Sequence, residues 1–467
     1  MKSIKKPFKK SIKFFKSHRK LVVIILATIV FVSIAAYFIF LSFDKKVIGD
    51  TYSPQDREVL NNNLEAQVLF NNEAGVQKFS PEIISLIRNA QSTIDVAMYS
   101  MDSLEIRDEL IKAANRGVVV RFVVSYNKQI QYRNLFVDKP KNLYVSEIAA
   151  DSNEGFMHNK FIISDANREG AALITGSFNS TKLQEMYDPS FIFKTEDRKI
   201  VSVYEQEFQR LFNGKTGRKK LNDVNYKAWQ ADLSYSNGNM EIWWSPGSAK
   251  NNFKVRLLDL ISRAKESIDV MIWQVTDEDM ISALINKAVS GVKVRVITDD
   301  SNAWLEASKI PGLVSASLKN SNLVVIDDAA RTQDFLREIF VDESVDKNNF
   351  NSFFHHHALI IDKKILAAGS GNWSYRANYS NDENALVTTV PNLVNDYQKS
   401  FDFNFNKLHG EDLEIKVDRG NITVNGLNKF SGLKLLILQE DPKLQPISQV
   451  CTEVLISGDP TIIRLPA

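Results

Sequence analysis

The hydrophobic pattern changes character along this chain. Residues 21–43 (LVVIILATIVFVSIAAYFIFLSF) form a run of 23 residues without charge. At ~1.5 Å per residue a helix of that length spans a hydrocarbon core of ~30 Å. The apolar core of a cleaved signal peptide is usually ~7–15 residues long and ends in small residues. This run is longer and ends in aromatic and large aliphatic side chains, so it predicts one uncleaved transmembrane helix. From 64 onward, short apolar runs alternate with amphipathic stretches. Ala66–Phe70, Thr93–Met98 and Val118–Val124 read as strands. Between them, Ile84 and Ile87 mark one helix face, and a second helix is expected near 104–115. Beyond about 408 only short β-like runs follow (LEIKV, NITV, LKLLIL, CTEVLI).

The strand and helix order then repeats. Glu241–Trp244 opens a second series, Leu257, Leu260 and Ile261 mark its helix, and Ser267–Ile272 is a buried strand. A helix near 278–289, a Gly-Val turn and a strand at Val292–Ile297 complete it. Ala90, Ile94, Asp95, Val96, Gly117 and Arg121 recur as Ala264, Ile268, Asp269, Val270, Gly291 and Arg295, each at an offset of 174. The pattern therefore predicts an α/β protein with two similar lobes, each a mixed sheet flanked by helices, preceded by the transmembrane helix. The expected organisation is a basic tail at 1–20, the membrane span at 21–43 and a first lobe at 64–213. A linker at 214–238, a second lobe at 239–408 and a small β-rich segment at 409–467 complete it.

Charge adds an orientation. Residues 1–20 hold eight Lys and one Arg with no acid; the net +2 of the whole chain less these nine cations leaves −7 for residues 44–467. The positive-inside rule places the tail in the cytoplasm and the larger part outside. A mildly acidic bulk gives no electrostatic reason to expect a nucleic-acid binder. The single cysteine, Cys451, rules out an intrachain disulfide and lacks the partners of a structural zinc site. Asn179-Ser180-Thr181 and Asn372-Trp373-Ser374 are formal glycosylation sequons at the chemistry-bearing turns described next, where sugar would block them. That favours a bacterial cell envelope over a eukaryotic lumen.

Each half carries the same polar set. The first has His158-Asn159-Lys160, then Asp165, then Gly176-Ser177-Phe178-Asn179. The second has His355-His356-His357, then Asp362, then Gly369-Ser370-Gly371-Asn372, and both His-to-Asp spacings are seven. His158 and Lys160 stand two apart in a strand-like run, so they share a face. Asp165 has the opposite parity and points away from any phosphate they hold. Lys160, Ser177 and Asn179 are hydrogen-bond donors suited to phosphate oxygens.

This arrangement resembles the paired HxK/D signature and GSxN turns of the phospholipase D superfamily. The resemblance covers nearly all of residues 64–408. It implies a catalytic set of His158, Lys160, Asp165, His355, His357 and Asp362, with Ser177, Asn179, Ser370 and Asn372 on the phosphate. It further implies that the first histidine attacks phosphorus and the second serves as acid and base. In the superfamily an acid shortly after GSxN orients each imidazole, which nominates Glu383 in the second half and Asp188 in the first. No metal or cofactor is expected.

The chain departs from the family pattern at His357, where the family has lysine. A histidine beside a bound anion is favoured in its charged form and replaces one lysine charge with less reach. The triplet His355–His357 is not expected to hold a metal, because alternate strand residues point to opposite faces. Four extra residues between Asp165 and Gly176 place a turn at Asn167–Gly170. An insertion of 23 residues precedes His355, so Ala329–Phe354 is read either as a lid over the site or as decoration. Trp243, Trp244 and Trp273 are read as core or pocket wall. The expected partners are the membrane and a phosphodiester substrate, with phospholipid ahead of nucleic acid. A phosphatidyltransferase of the cardiolipin synthase type and an inactive binding protein are the other readings.

Overall fold

The six repeated identities are the skeleton of two sheets. The computed structural model describes residues 63–72, 77–148, 155–303, 305–328 and 353–409, together with the backbone of five strands between 414 and 464. The basic tail, the run at 21–43 and the insertion at 329–352 lie outside the described residues, among which no helix is long and apolar enough to cross a membrane.

The first lobe contains β1 (Ala66–Phe70), β2 (Thr93–Met98), β3 (Val119–Ser125), β4 (Leu143–Ile148), β5 (Lys160–Ser164), β6 (Ala172–Gly176) and β7 (Phe191–Thr195), in the sheet order β1-β7-β6-β5-β2-β3-β4. β2, β3 and β4 are parallel and the remaining pairs antiparallel, so the sheet is mixed. The second lobe contains β8 (Trp229–Tyr235), β9 (Gly238–Trp244), β10 (Ser267–Ile272), β11 (Lys293–Thr298), β12 (Leu323–Asp327), β13 (His357–Ile361), β14 (Ile365–Gly369) and β15 (Asn384–Thr388). Its order, β12-β11-β10-β13-β14-β15-β9-β8, keeps the same parallel trio and the same antiparallel half. The helices Leu104–Asn115 and Glu278–Val289 occupy the residues their periodicity predicts.

Asp95 and Arg121 recur because they are register partners on β2 and β3 and form a two-pronged ion pair at 2.6 and 2.7 Å. Asp269 and Arg295 repeat it on β10 and β11 at 2.7 Å in both contacts. Each arginine is roofed by aromatic rings of a long helix: Phe208 and Phe212 over Arg121, Phe401 and Phe405 over Arg295.

These two helices, Arg198–Phe212 and Pro391–His409, pack between the sheets. Asp197 starts the first by accepting from the N–H groups of Lys199 and Ile200, and its apolar face buries Ile200, Val201, Tyr204, Phe208 and Leu211. Those residues share one apolar core with Tyr397 and Phe401 of the other helix and with Phe161 and Trp244 of the two sheets. Each such ring or aliphatic chain contributes about 1.5–3 kcal/mol by leaving water, which binds the lobes face to face. The outer faces carry separate cores under the helices Ser80–Asn89 and Leu104–Asn115 in one lobe, and Phe253–Arg263 and Glu278–Val289 in the other.

Residues 214–238 are not an irregular linker, contrary to the expectation. Gly217–Asn222 forms a 3-10 turn, and Trp229–Tyr235 pairs antiparallel with β9 at the sheet edge. An edge strand is largely exposed, so WQADLSY lacks the apolar period that marks a buried one. After the second lobe come β16 (Glu414–Asp418), β17 (Asn421–Asn425), β18 (Lys434–Glu440), β19 (Gln449–Leu455) and β20 (Thr461–Arg464), paired as β16-β17-β20 and β18-β19.

Candidate active site

The lobes meet along a short backbone bridge. The His158 N–H donates to the Asp382 carbonyl at 2.9 Å, and the Asp382 N–H donates to the Phe156 carbonyl at 2.8 Å. Glycine is required at 155, where φ is +130° and a Cβ would lie 2.3 Å from the Ser380 carbonyl oxygen. The bridge delivers His158, just before β5, against the turn that precedes β15.

There the His158 Nδ1 lies 2.8 Å from Glu383 Oε2, so the acid that orients this imidazole comes from the other lobe. Glu383 is itself held by the Ser370 hydroxyl, which donates at 2.6 Å, and by the Asn381 amide at 2.9 Å. With Nδ1–H on the carboxylate, Nε2 is left as the basic nitrogen. Lys160 folds back onto the ring: its Nζ is 3.3 Å from each ring nitrogen and donates to the His158 carbonyl at 2.7 Å.

His355 lies across the seam. The electrostatic influence of His158 and Lys160 reaches it, and the backbone of Ser177 stabilises its charged form. The backbone of Ser370 does the same for His158. Each histidine is thus within reach of the backbone of the opposite lobe's GSxN turn. The turns begin with glycine for a steric reason. A Cβ on Gly176 or Gly369 would come within 2.2 Å of the Phe191 or Asn384 carbonyl oxygen on the adjacent strand.

Burial sets the electrostatics. It lowers the pKa of His158, with Glu383 opposing and Lys160 adding to the shift. His355 and His357 are pushed well below the ordinary histidine value, first by burial and then by the surrounding cations and imidazoles. Burial also brings Lys160 down to about 7, against the pull of Glu383. His357 begins β13 at the position where Lys160 begins β5, and its ring meets His355 edge-on at 5.1 Å between centroids. His356 points the other way, into the core against Phe191 and Tyr397. The histidine triplet therefore does not converge on one point.

Asp165 and Asp362 are not in the site, contrary to the set the resemblance implies. Each follows the far end of its strand at φ +51°. Asp165 accepts from the N–H groups of Gln91, Ser92 and Thr93 and from the Ser92 hydroxyl, at 2.6–3.0 Å. Asp362 accepts from the N–H groups of Lys265, Glu266 and Ser267. Five residue steps along β5 carry the chain about 16 Å from Lys160 to Asp165, so this carboxylate acts on the fold.

Asp188 is fully buried and accepts from the Phe353 N–H at 2.9 Å, two residues before His355. The His355 Nδ1 has no hydrogen-bond partner among the described residues, so Asp188 does not mirror Glu383. Both serine hydroxyls accept from the first N–H of the adjacent strand, Ser370 from Asn384 at 3.0 Å and Ser177 from Phe191 at 3.2 Å, and Ser370 also donates to Glu383. Asn179 and Asn372 are alike in keeping Oδ1 buried without a partner among the described residues.

Two aromatic residues join the site. Tyr99 meets His158 at 4.7 Å and Trp273 meets His355 at 5.3 Å between centroids. They stand 174 apart, at the ends of β2 and β10, so the repeat itself marked them. Trp243 and Trp244 are core. Among the described residues, Asp299, Asp300 and Asp328 bring carboxylate oxygens within 4.8 Å of one another, and Asp299 accepts from the Phe354 N–H at 2.8 Å.

The chain is similar to known proteins. A family model described as "Cardiolipin synthase, PLD-like domain" matches residues 83–212 and 257–403. A mitochondrial cardiolipin hydrolase of Chlamydomonas reinhardtii is 26% identical over 147 residues, covering 32% of this chain and 55% of that protein. A phospholipase D of Rickettsia prowazekii (strain Madrid E) is 26% identical over 194 residues, 42% of this chain and 80% of the relative. The chain thus spans little more than half the length of the cardiolipin hydrolase. The crystal structure of a phosphatidylserine synthase from Haemophilus influenzae Rd KW20 superimposes with a TM-score of 0.51 at 16% identity, over 76% of this chain and 92% of that one, a likeness of fold.

Proposed function

The chain belongs to the cardiolipin synthase, PLD-like domain family, and on that premise we propose that it is a phospholipase D-like phosphodiesterase that hydrolyses phospholipids through a phosphohistidine intermediate. The observation that carries this reading is the Glu383 carboxylate of one lobe on the His158 imidazole of the other, with His355 across the seam.

The His158 Nε2 attacks phosphorus as the bond to the leaving oxygen breaks, and His355 gives that oxygen a proton. Glu383 accepts the Nδ1–H throughout and offsets the positive charge the ring gains on attack. The neutral His355 then takes a proton from water, whose oxygen displaces His158 from phosphorus. Lys160 donates to a non-bridging oxygen. Burial keeps His355 neutral in the empty site, so its proton is acquired together with the anionic substrate, which favours the charged form.

Phospholipid is the preferred substrate class because the relatives are a cardiolipin hydrolase and a phospholipase D. Residues 21–43 act in this reading as a single membrane anchor. The tail lies in the cytoplasm and the catalytic lobes stand outside, at the cell envelope.

The test uses the full chain in detergent with cardiolipin, phosphatidylglycerol, phosphatidylcholine, single-stranded DNA and RNA, all with EDTA. Lipid head-group release supports the proposal. Shortened oligonucleotides without lipid turnover replace it with a nuclease, and ester exchange onto an added alcohol in preference to water replaces it with a transferase. His158→Ala is expected to abolish turnover and the acid-labile phosphoenzyme; a His158→Ala enzyme that still turns over would falsify the mechanism.

A further inference from the structure

Lys220 lies between the lobes, outside both repeated motifs, and none of its side chain is exposed. Its Nζ is 2.7 Å from Glu207 Oε1, 2.7 Å from Asp382 Oδ1 and 2.6 Å from the Ser245 carbonyl oxygen. An ammonium has three N–H bonds, and these three acceptors use all of them. The acceptors come from three places: the helix Arg198–Phe212 of the first lobe, the turn before β15, and the residue after β9.

Asp382 makes the backbone bridge to Phe156 and His158. The Ser245 N–H donates to the Glu383 carbonyl at 3.0 Å. The Gly217 N–H, from the same turn as Lys220, donates to Asp382 Oδ1 at 2.8 Å. Glu383, which carries the His158 imidazole, is thus held on both sides by groups that converge on one ammonium. A buried charge cluster of this kind rarely adds net stability over an apolar replacement, but it admits only one register.

We infer that Lys220 is a positioning residue for the phosphodiesterase reaction, setting the cross-lobe register that places Glu383 on His158. This rests on the proposed function for its kinetic consequence but not for its structural one. Asp382 and Glu207 hold the ammonium charged against burial. Removing it alone leaves two buried carboxylates facing each other, so Lys220→Met by itself is expected to lower Tm.

The deciding variant is Lys220→Met combined with Asp382→Asn in the full chain, which leaves Glu207 paired with Arg210. Lys215→Ala, at an exposed ion pair in the same segment, is the control. The readouts are Tm, kcat and KM on the phospholipid, and the ring-nitrogen NMR signals of His158. The double variant is expected to regain the wild-type Tm. Its kcat falls about a hundredfold, the loss that a misplacement of about 1 Å produces, with KM little changed. The His158 Nδ1–H signal of the carboxylate-bound tautomer disappears. Wild-type kcat and an unchanged His158 signal in the double variant overturn the inference, leaving Lys220 as a charge neutraliser. A double variant that does not fold also overturns it, because the cluster is then a stability element. If the wild type hydrolyses nothing, the functional reading fails while the NMR signal still decides the role of Lys220.

Discussion

Lys160 and His357 occupy equivalent positions, opposite Met98 on β2 and Ile272 on β10, yet they offer the proposed phosphate site different charge. Lys160 titrates near 7, and His357 is neutral in the empty site. Binding an anionic substrate needs Lys160 protonated, whereas attack needs His158 neutral. The kcat/KM is therefore expected to fall already below pH 7, where the free His355 has lost its proton, and more steeply as pH rises through about 7 and Lys160 loses its own. On the acid side it falls only below the ordinary histidine range, because the His158 pKa is lowered. A pH–rate profile checks this, and a flat alkaline limb to pH 9 counts against Lys160 as the phosphate donor. His357→Lys restores a second charge-assisted bond of about 1.5–3 kcal/mol. A lysine buried at this position is charged at pH 6 and largely neutral at pH 8, as burial makes Lys160, so kcat/KM is expected to rise about tenfold at pH 6 and less at pH 8. No gain at pH 6 in a folded variant means that the site is shaped for an imidazole.

The elements are joined by groups that sequence comparison assigns to chemistry. Asp165 and Asp362 cap the turns that lead into β2 and β10. Burial raises the pKa of Asp165, but the Ser92 hydroxyl and the backbone N–H groups of 91–93 outweigh it, so the folded-state value is lowered; Asp362 behaves likewise through 265–267. Their stabilisation is therefore complete above the unfolded pKa of about 3.9 and is lost as pH falls through the lower folded-state value. Asp165→Ala is expected to cost about 3 kcal/mol by leaving backbone donors unmet. Its kcat per folded molecule should stay at the wild-type value. Denaturant titration and active-site-normalised kinetics check both halves, and a lost kcat in the folded variant returns Asp165 to the site.

At the scale of the whole molecule, two lobes make one site because their inner faces share a core of aromatic rings between the sheets. The seam then brings each histidine within reach of the opposite lobe's turn. The proposed anchor adds a direction. In right-side-out membranes, external protease is expected to digest the catalytic lobes and spare the basic tail at 1–20. Protection of the lobes reverses the topology.

The local elements of this protein were legible in its sequence because they rest on short-range rules. Period two and period three-to-four placed β2, β10 and the helices Leu104–Asn115 and Glu278–Val289, and the offset of 174 revealed the duplication. Spacing within one strand puts His158 and Lys160 on a common face, while His355 comes from the matching motif of the second half, with the roles that the family resemblance implies. Glu383 was found, but its partner was not, since a bond across 225 positions leaves no periodic trace. For the same reason the motif alone carries Asp165 and Asp362 into the site, and nothing in the stretch without period around Lys220 marks that residue. Which lobe's acid serves which histidine depends on how two sheets pack through a common core, and only the tertiary structure decided that.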